Sequence, residues 1–211
     1  MKDQWDKYLE WSYEEFFSGI PVGSNVIEIG PGYGFHSKLI QRQKPAFHRV
    51  IEPGAYEIER LKEIGCDVIS EHYQDFYSER RPADVVVCCG VLYHILTPLD
   101  LIEKITNLSR PDKIIISNIE VNDDGMAEYK YVHDVLGRQN RMLYDNPIEY
   151  WQKLKAGTLS NIMRSQGYKI TKQLNTKEIW PKNVYYWQEY ERTGSIYNLL
   201  IYKVALSKSN I

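Results

Sequence analysis

An apolar run closed by an acid and three alternate glycines opens the chemistry of this chain: Val26-Ile27-Glu28-Ile29-Gly30-Pro31-Gly32-Tyr33-Gly34. Glycine accepts dihedrals that a Cβ forbids, and it lets backbone pass close to a ligand. A second apolar run, Arg49-Val50-Ile51, ends in Glu52, twenty-two residues after Gly30. A carboxylate at a strand tip suits two ribose hydroxyls, so turn and acid together describe a nucleotide-sized pocket. Without a ligand, the same glycines make only a tight strand-to-helix turn. A dinucleotide fingerprint would need a glycine at position 35, where the chain has Phe35.

Two further segments carry reactive groups. Gly90-Val91-Leu92-Tyr93-His94-Ile95-Leu96-Thr97-Pro98 follows another apolar run, Ala83 to Cys89. A histidine there can remove a proton from a hydroxyl or amine, or it can be a structural ring bonding backbone. Tyr93 offers an aromatic face to a cationic ligand, or simply a pocket wall. Asp75, with Phe76 beside it, could hold an adenine amino group; Glu71 fits the same task, and an exposed loop acid explains either.

The pattern Glu28-x-Gly30-x-Gly32-x-Gly34 with Glu52 resembles the first motifs of class I S-adenosylmethionine (SAM)-dependent methyltransferases. That resemblance implies a glycine loop curved round the amino-acid end of the cofactor, with Glu28 organising its ammonium group. It implies that Glu28, Gly30, Pro31, Gly32, Gly34, Glu52, Asp75, Gly90 and Val91 line the cofactor, with Tyr93 and His94 facing the acceptor. The product would be S-adenosylhomocysteine. Methyl transfer is a direct displacement, which gains mainly from orientation and desolvation. The segment Gly90 to Asp100 is similar to one in tRNA wobble-uridine carboxymethyltransferases, as are Phe35-His36, Arg141-Met142-Leu143-Tyr144 and Gly167-Tyr168. That similarity spans roughly residues 25 to 175. The basic groups with which those enzymes read a carboxy-SAM carboxylate have no identifiable counterpart here, so ordinary SAM is expected.

Composition narrows the partners. With 26 basic and 28 acidic residues the net charge is −2, so no global field favours nucleic acid or an anionic membrane. A small-molecule acceptor is therefore expected, and tRNA is the disfavoured rival. A SAM-binding module without turnover, docking a partner through its aromatic N-terminus, is the rival from another class. The three cysteines, Cys66, Cys88 and Cys89, are odd in number and partly embedded in an apolar strand, which suits reduced thiols and a cytoplasmic protein. No apolar stretch reaches membrane-spanning length. Glu120, Asp123, Asp124, His133 and Asp134 share no ligand spacing, so no metal is expected.

The elements that must position these groups alternate. Strands are expected near 25–29, 48–52, 66–69, 83–89, 113–117, from 168 and over 196–205, and helices near 34–43, 58–64, 98–110 and 158–166. Alternation of this kind gives an α/β fold with right-handed crossovers. The expectation is one domain over residues 1–211 with a Rossmann-like, seven-stranded, mostly parallel sheet, an antiparallel last strand and helices on both faces. Residues 1–22 form an aromatic helical segment, and residues 121–157 an insertion over the active edge. Trp5, Tyr8, Trp11 and Tyr13 could join Trp180, Tyr185, Tyr186 and Trp187 in a lid, or pack the N-terminal helix on the sheet. Thr97, Pro98 and Asp100 spell a helix start, and Gly65 a helix end.

Overall fold

Burial of β-branched residues on both faces of successive strands organises the molecule, a computed structural model describing residues 2–71, 82–92, 95, 97–121, 154–155, 157–175 and 195–204. The helix α1, Lys2–Ser12, continues into a wider π-helical turn, Tyr13–Phe17. Then come β1 (Asn25–Ile29), α2 (Phe35–Gln41), β2 (Phe47–Ile51), α3 (Ala55–Glu63), β3 (Asp67–Ile69) and β4 (Val85–Cys89). They are followed by α4 (Pro98–Lys104), β5 (Lys113–Val121), β6 (Leu154–Lys155), α5 (Thr158–Ser165), β7 (Tyr168–Asn175) and β8 (Ser195–Val204).

The strands lie in the order β3-β2-β1-β4-β5-β8-β7, with β6 paired to β5 outside that path. All contacts from β3 to β5 are parallel, while β8 runs antiparallel to both β5 and β7. The sheet therefore departs from the expected seven strands by the two-residue β6, which lies parallel to the end of β5. β5 itself runs four residues past the expected Ser117, because β8 pairs with it over its whole length.

Alternation divides the core. Val26, Val85, Val87 and Ile115 face Phe16, Phe17, Leu39 and Ile40, under the N-terminal segment and α2. Ile27, Ile29, Val86, Ile114 and Ile116 face Leu101, Ile102, Leu159 and Met163 of α4 and α5. Trp11 meets Phe16 edge-on at 5.8 Å, so this part of the aromatic N-terminus packs on the sheet instead of covering the rim. The proposed lid partners at 180–187, most of the expected insertion (122–153) and its imagined metal ligands from Asp123 to Asp134 lie outside the described residues.

Helix ends follow local chemistry unevenly. Gly65, at φ +93°, closes α3 as expected: its N–H bonds Lys62 O, and Cys66 N–H bonds Leu61 O. Thr97 precedes Pro98 at the start of α4 but makes no side-chain cap, and only its carbonyl is used, by Asp100 N–H. Its ψ of 71° is the reason, since a capping side chain needs the extended backbone of a true N-cap.

Candidate active site

The strand order reverses between β1 and β4, and ligands in open α/β sheets bind outside the carboxyl ends of the strands at such a point. The glycine loop leaves β1 there. Gly30, Gly32 and Gly34 all have positive φ (60°, 52° and 71°), where a side chain is strained. A Cβ on Gly30 would stand 2.6 Å from Val91 Cγ2, so the loops after β1 and β4 touch across the switch point. A Cβ on Gly32 would meet no described atom within 4 Å. Among the described residues, backbone at Gly32 thus borders open space of the kind a ligand could use.

Glu52 follows β2 directly and is 3% exposed. Its Oε2 accepts the Gly32 N–H at 3.0 Å and its Oε1 the Gly54 N–H at 2.8 Å. The strand-tip acid therefore clasps the glycine loop itself, a bond that spacing alone did not suggest. Each carboxylate oxygen keeps a second lone pair, enough for two hydroxyls. Burial raises the Glu52 pKa, partly offset by the two amides, while Glu57 and Glu28 push it further up. On the far side, Gly90 at φ +80° donates its N–H to Ser117 Oγ at 2.7 Å, tying the loop after β4 to β5.

Glu28 is placed beneath the loop, 1% exposed, on the face of β1 shared with Val26. Its Oε2 accepts from Ser37 Oγ at 2.6 Å and lies 3.1 Å from His48 Nε2. The other nitrogen of that ring, Nδ1, is 3.1 Å from Gln41 Nε2 and 3.7 Å from Cys66 Sγ. Burial disfavours a charged His48, but the bonds to Cys66 and Glu28 and the charge of Glu28 outweigh it and raise the pKa to about 9. His36 stacks on Phe17, centroids 5.2 Å apart, and burial lowers its pKa against the pull of Glu28. Burial pushes the Cys89 thiol to about 12 and Cys88 well above its ordinary value. Neither is a nucleophile at neutral pH.

The structure thus brings Glu28, Gly30, Pro31, Gly32, Gly34, Glu52, Gly90 and Val91 to one rim. Asp75, Tyr93 and His94 lie outside the described residues. Sequence reasoning missed Ser37, His48, Ser117 and Asn118. The contact of His48 with the expected Glu28 had a partial signal: strand alternation puts 26 and 28, and 48 and 50, on one face each, and the parallel register pairs Val26 with His48. Asn118 is fully buried in the second half of β5, and neither polar atom of its amide has a partner among the described residues. It faces the α4 side with Ile114 and Ile116, level with the start of the loop that carries Tyr93 and His94. Among the described residues no group of three His, Cys, Asp or Glu could hold a metal, and no helix is long and apolar enough to cross a membrane.

Comparisons with known proteins agree with this geometry. The family model of a methyltransferase domain matches residues 4–173. No curated protein matches the chain. A putative SAM-dependent methyltransferase from Listeria monocytogenes superposes with a TM-score of 0.65 at 15% identity, covering 93% of this chain and 97% of that one. The 1,6-didemethyltoxoflavin-N1-methyltransferase of Burkholderia thailandensis, solved with its substrate and S-adenosylhomocysteine, gives 0.63 at 15% identity, covering 94% and 78%. The [4+2]-cyclase SpnF gives 0.65 at 13% identity, covering 96% and 82%. The glycine loop, the acid at the tip of β2 and the strand order agree with the family match, and the chain belongs to the methyltransferase-domain family as a SAM-dependent enzyme of class I.

Proposed function

We propose that this enzyme methylates an oxygen or nitrogen of a small-molecule acceptor. The observation that carries the reading is the clasp between Gly32 and Glu52 at the switch point, beside the open space at Gly32. SAM supplies the methyl group and leaves as S-adenosylhomocysteine. Gly30, Pro31, Gly32, Gly34, Gly90 and Val91 shape the cofactor's walls, Glu52 accepts from its ribose hydroxyls, and Asp75 reads the adenine edge. Glu28, buried behind the loop, contributes negative charge toward the ammonium end. Tyr93 gives an aromatic face beside the cationic centre. His94 takes the acceptor's proton. Asn118 is suited to reading the acceptor, since a buried amide with no partner among the described residues gains from a ligand that offers both a donor and an acceptor. Neighbours of this fold that act on small molecules, such as the toxoflavin N-methyltransferase, support an acceptor of that size.

Calorimetry with S-adenosylhomocysteine, followed by a screen of metabolite fractions for acceptor-dependent release of that product, tests the reading. Binding with turnover on a small-molecule fraction supports it; no affinity for S-adenosylhomocysteine ends it. A tRNA acceptor is the second reading, favoured by the resemblance of Gly90 to Asp100 to wobble-uridine enzymes. Product release with total tRNA, and binding that weakens steeply with salt, would select it.

A further inference from the structure

We infer that His48 is a positioning residue for the cofactor: through Glu28 and Ser37 its ring holds the two ends of the glycine loop together. The inference deepens the cofactor site proposed above and rests on that reading. Glu28 stands two residues before Gly30, and Ser37 three residues after Gly34. One carboxylate oxygen, Glu28 Oε2, meets the Ser37 hydroxyl at 2.6 Å, so a single atom fastens the entry and exit of the loop. His48 Nε2, 3.1 Å from that same atom, ties it to β2, the strand that ends in Glu52. Glu52 in turn holds the loop's middle at Gly32. Loop entry, middle and exit are therefore all anchored on two acids, and His48 is the ring that braces one of them.

The ring is fixed from its other side by Cys66, just after α3, and by Gln41 in the last turn of α2. Both side chains of the ion pair are at most 2% exposed. A carboxylate so far from water is favoured by a compensating charge, and deprotonating the ring leaves Glu28 its hydrogen bonds from Ser37 and the ring N–H but no counter-charge. Gln41 directs its amide nitrogen at Nδ1 and donates with the same nitrogen to Gly65 O at 3.3 Å, an arrangement that suits a neutral ring; charging the ring turns the amide over and gives up the Gly65 bond. The groups facing the pair from the surrounding elements are His36 and Gln41 on α2, Cys66, Cys89 on β4 and Glu52. Of these, His36 is lowered by burial and Cys89 lifted to about 12, so neither changes charge together with His48 near 9. Glu52 is raised by burial, offset in part by the Gly54 and Gly32 amides, and faces the pair from the tip of β2. Cys66 touches the ring and is separated by substitution.

The test compares S-adenosylhomocysteine affinity of the wild type, His48→Gln and Cys66→Ala between about pH 7 and pH 10, with ¹⁵N shifts of the His48 ring in the wild type. The ligand's own amino group titrates in this range but cancels in the ratio of dissociation constants. The wild type should lose about tenfold in affinity relative to His48→Gln between pH 8 and pH 10, each unit above the ring's pKa contributing roughly a factor of ten. Cys66→Ala removes one of the bonds that raise the ring's pKa, so its profile should persist but move to lower pH, and in the wild type the ring should carry both protons near pH 7. Parallel profiles for wild type and His48→Gln overturn the inference, as does loss of the profile in Cys66→Ala. Should His48→Gln fail to fold, a neutral His48 ring near pH 7 still overturns it, and a doubly protonated ring that titrates together with affinity supports it. Absence of S-adenosylhomocysteine binding at every pH instead removes the cofactor reading itself.

Discussion

At the scale of single residues, the site is governed by backbone shape and by buried polar atoms. Gly30 sits at φ +60° with space for a Cβ closed by Val91. Gly30→Ala should therefore lower stability by about 1–3 kcal/mol, combining left-handed strain with overpacking. Val91→Ala in the same chain should restore the packing part but leave the strain, which thermal unfolding of the single and double variants would reveal as a non-additive pair. Gly32 presents the opposite case, strain at φ +52° with no described neighbour. Gly32→Val should cost S-adenosylhomocysteine affinity out of proportion to stability, because the branched side chain enters the open space; unchanged affinity by calorimetry would refute the loop assignment. Asn118 carries a buried amide with no partner among the described residues. Asn118→Leu should cut acceptor turnover while S-adenosylhomocysteine affinity holds. A variant with full turnover would separate Asn118 from the acceptor.

At the scale of elements, the rim holds its shape because helices on both faces fix the strands beneath it. The π-helical turn after α1 drives Phe16 and Phe17 against Val26, Val85, Val87 and Ile115. Lys172 of β7 pairs with Glu15 of the same turn, and Lys113 of β5 donates to Gly19 O just after it. Phe17→Ala should destabilise by about 3–5 kcal/mol, the range for a buried aromatic, and denaturant midpoints would read it. The ion pair between β1 and β2 sets a pH dependence with a definite sign. His48 is raised from 6.5 to about 9 on folding, so its stabilisation is complete below about pH 6.5 and fades as pH rises through about 9. Urea unfolding should show the wild type losing on the order of 2 kcal/mol from pH 6 to pH 10, with His48→Gln losing less. By contrast Arg49 and Asp67, paired at 2.5–2.9 Å with Asp67 half exposed, should contribute under about 1 kcal/mol because water and salt screen them.

At the scale of the whole molecule, a sheet whose parallel part reverses strand order between β1 and β4 leaves a rim where loops from β1, β2 and β4 converge. A fold of this kind hosts methyltransferases and, in SpnF, a [4+2]-cyclase, so architecture alone does not choose the reaction. Much was nevertheless legible in sequence. Val26 to Gly34 and Ala83 to Gly90 announced buried parallel strands and their turns, because strands covered on both faces read as continuous apolar runs and left-handed turns require glycine. Glu52 was legible because an acid closing such a run stands out. Local patterns of this sort depend on neighbours within one element, and the chain by itself specified them: the strand–helix alternation, the glycine loop and the acids of the rim. Tertiary structure decided what those groups touch. That Glu52 clasps Gly32, that Glu28 faces inward to Ser37 and His48, that Val91 closes on Gly30 and that β5 extends to meet β8 all depend on strand order and register. Those contacts join residues up to about eighty positions apart, and only burial of the whole sheet holds them, which no single segment encodes.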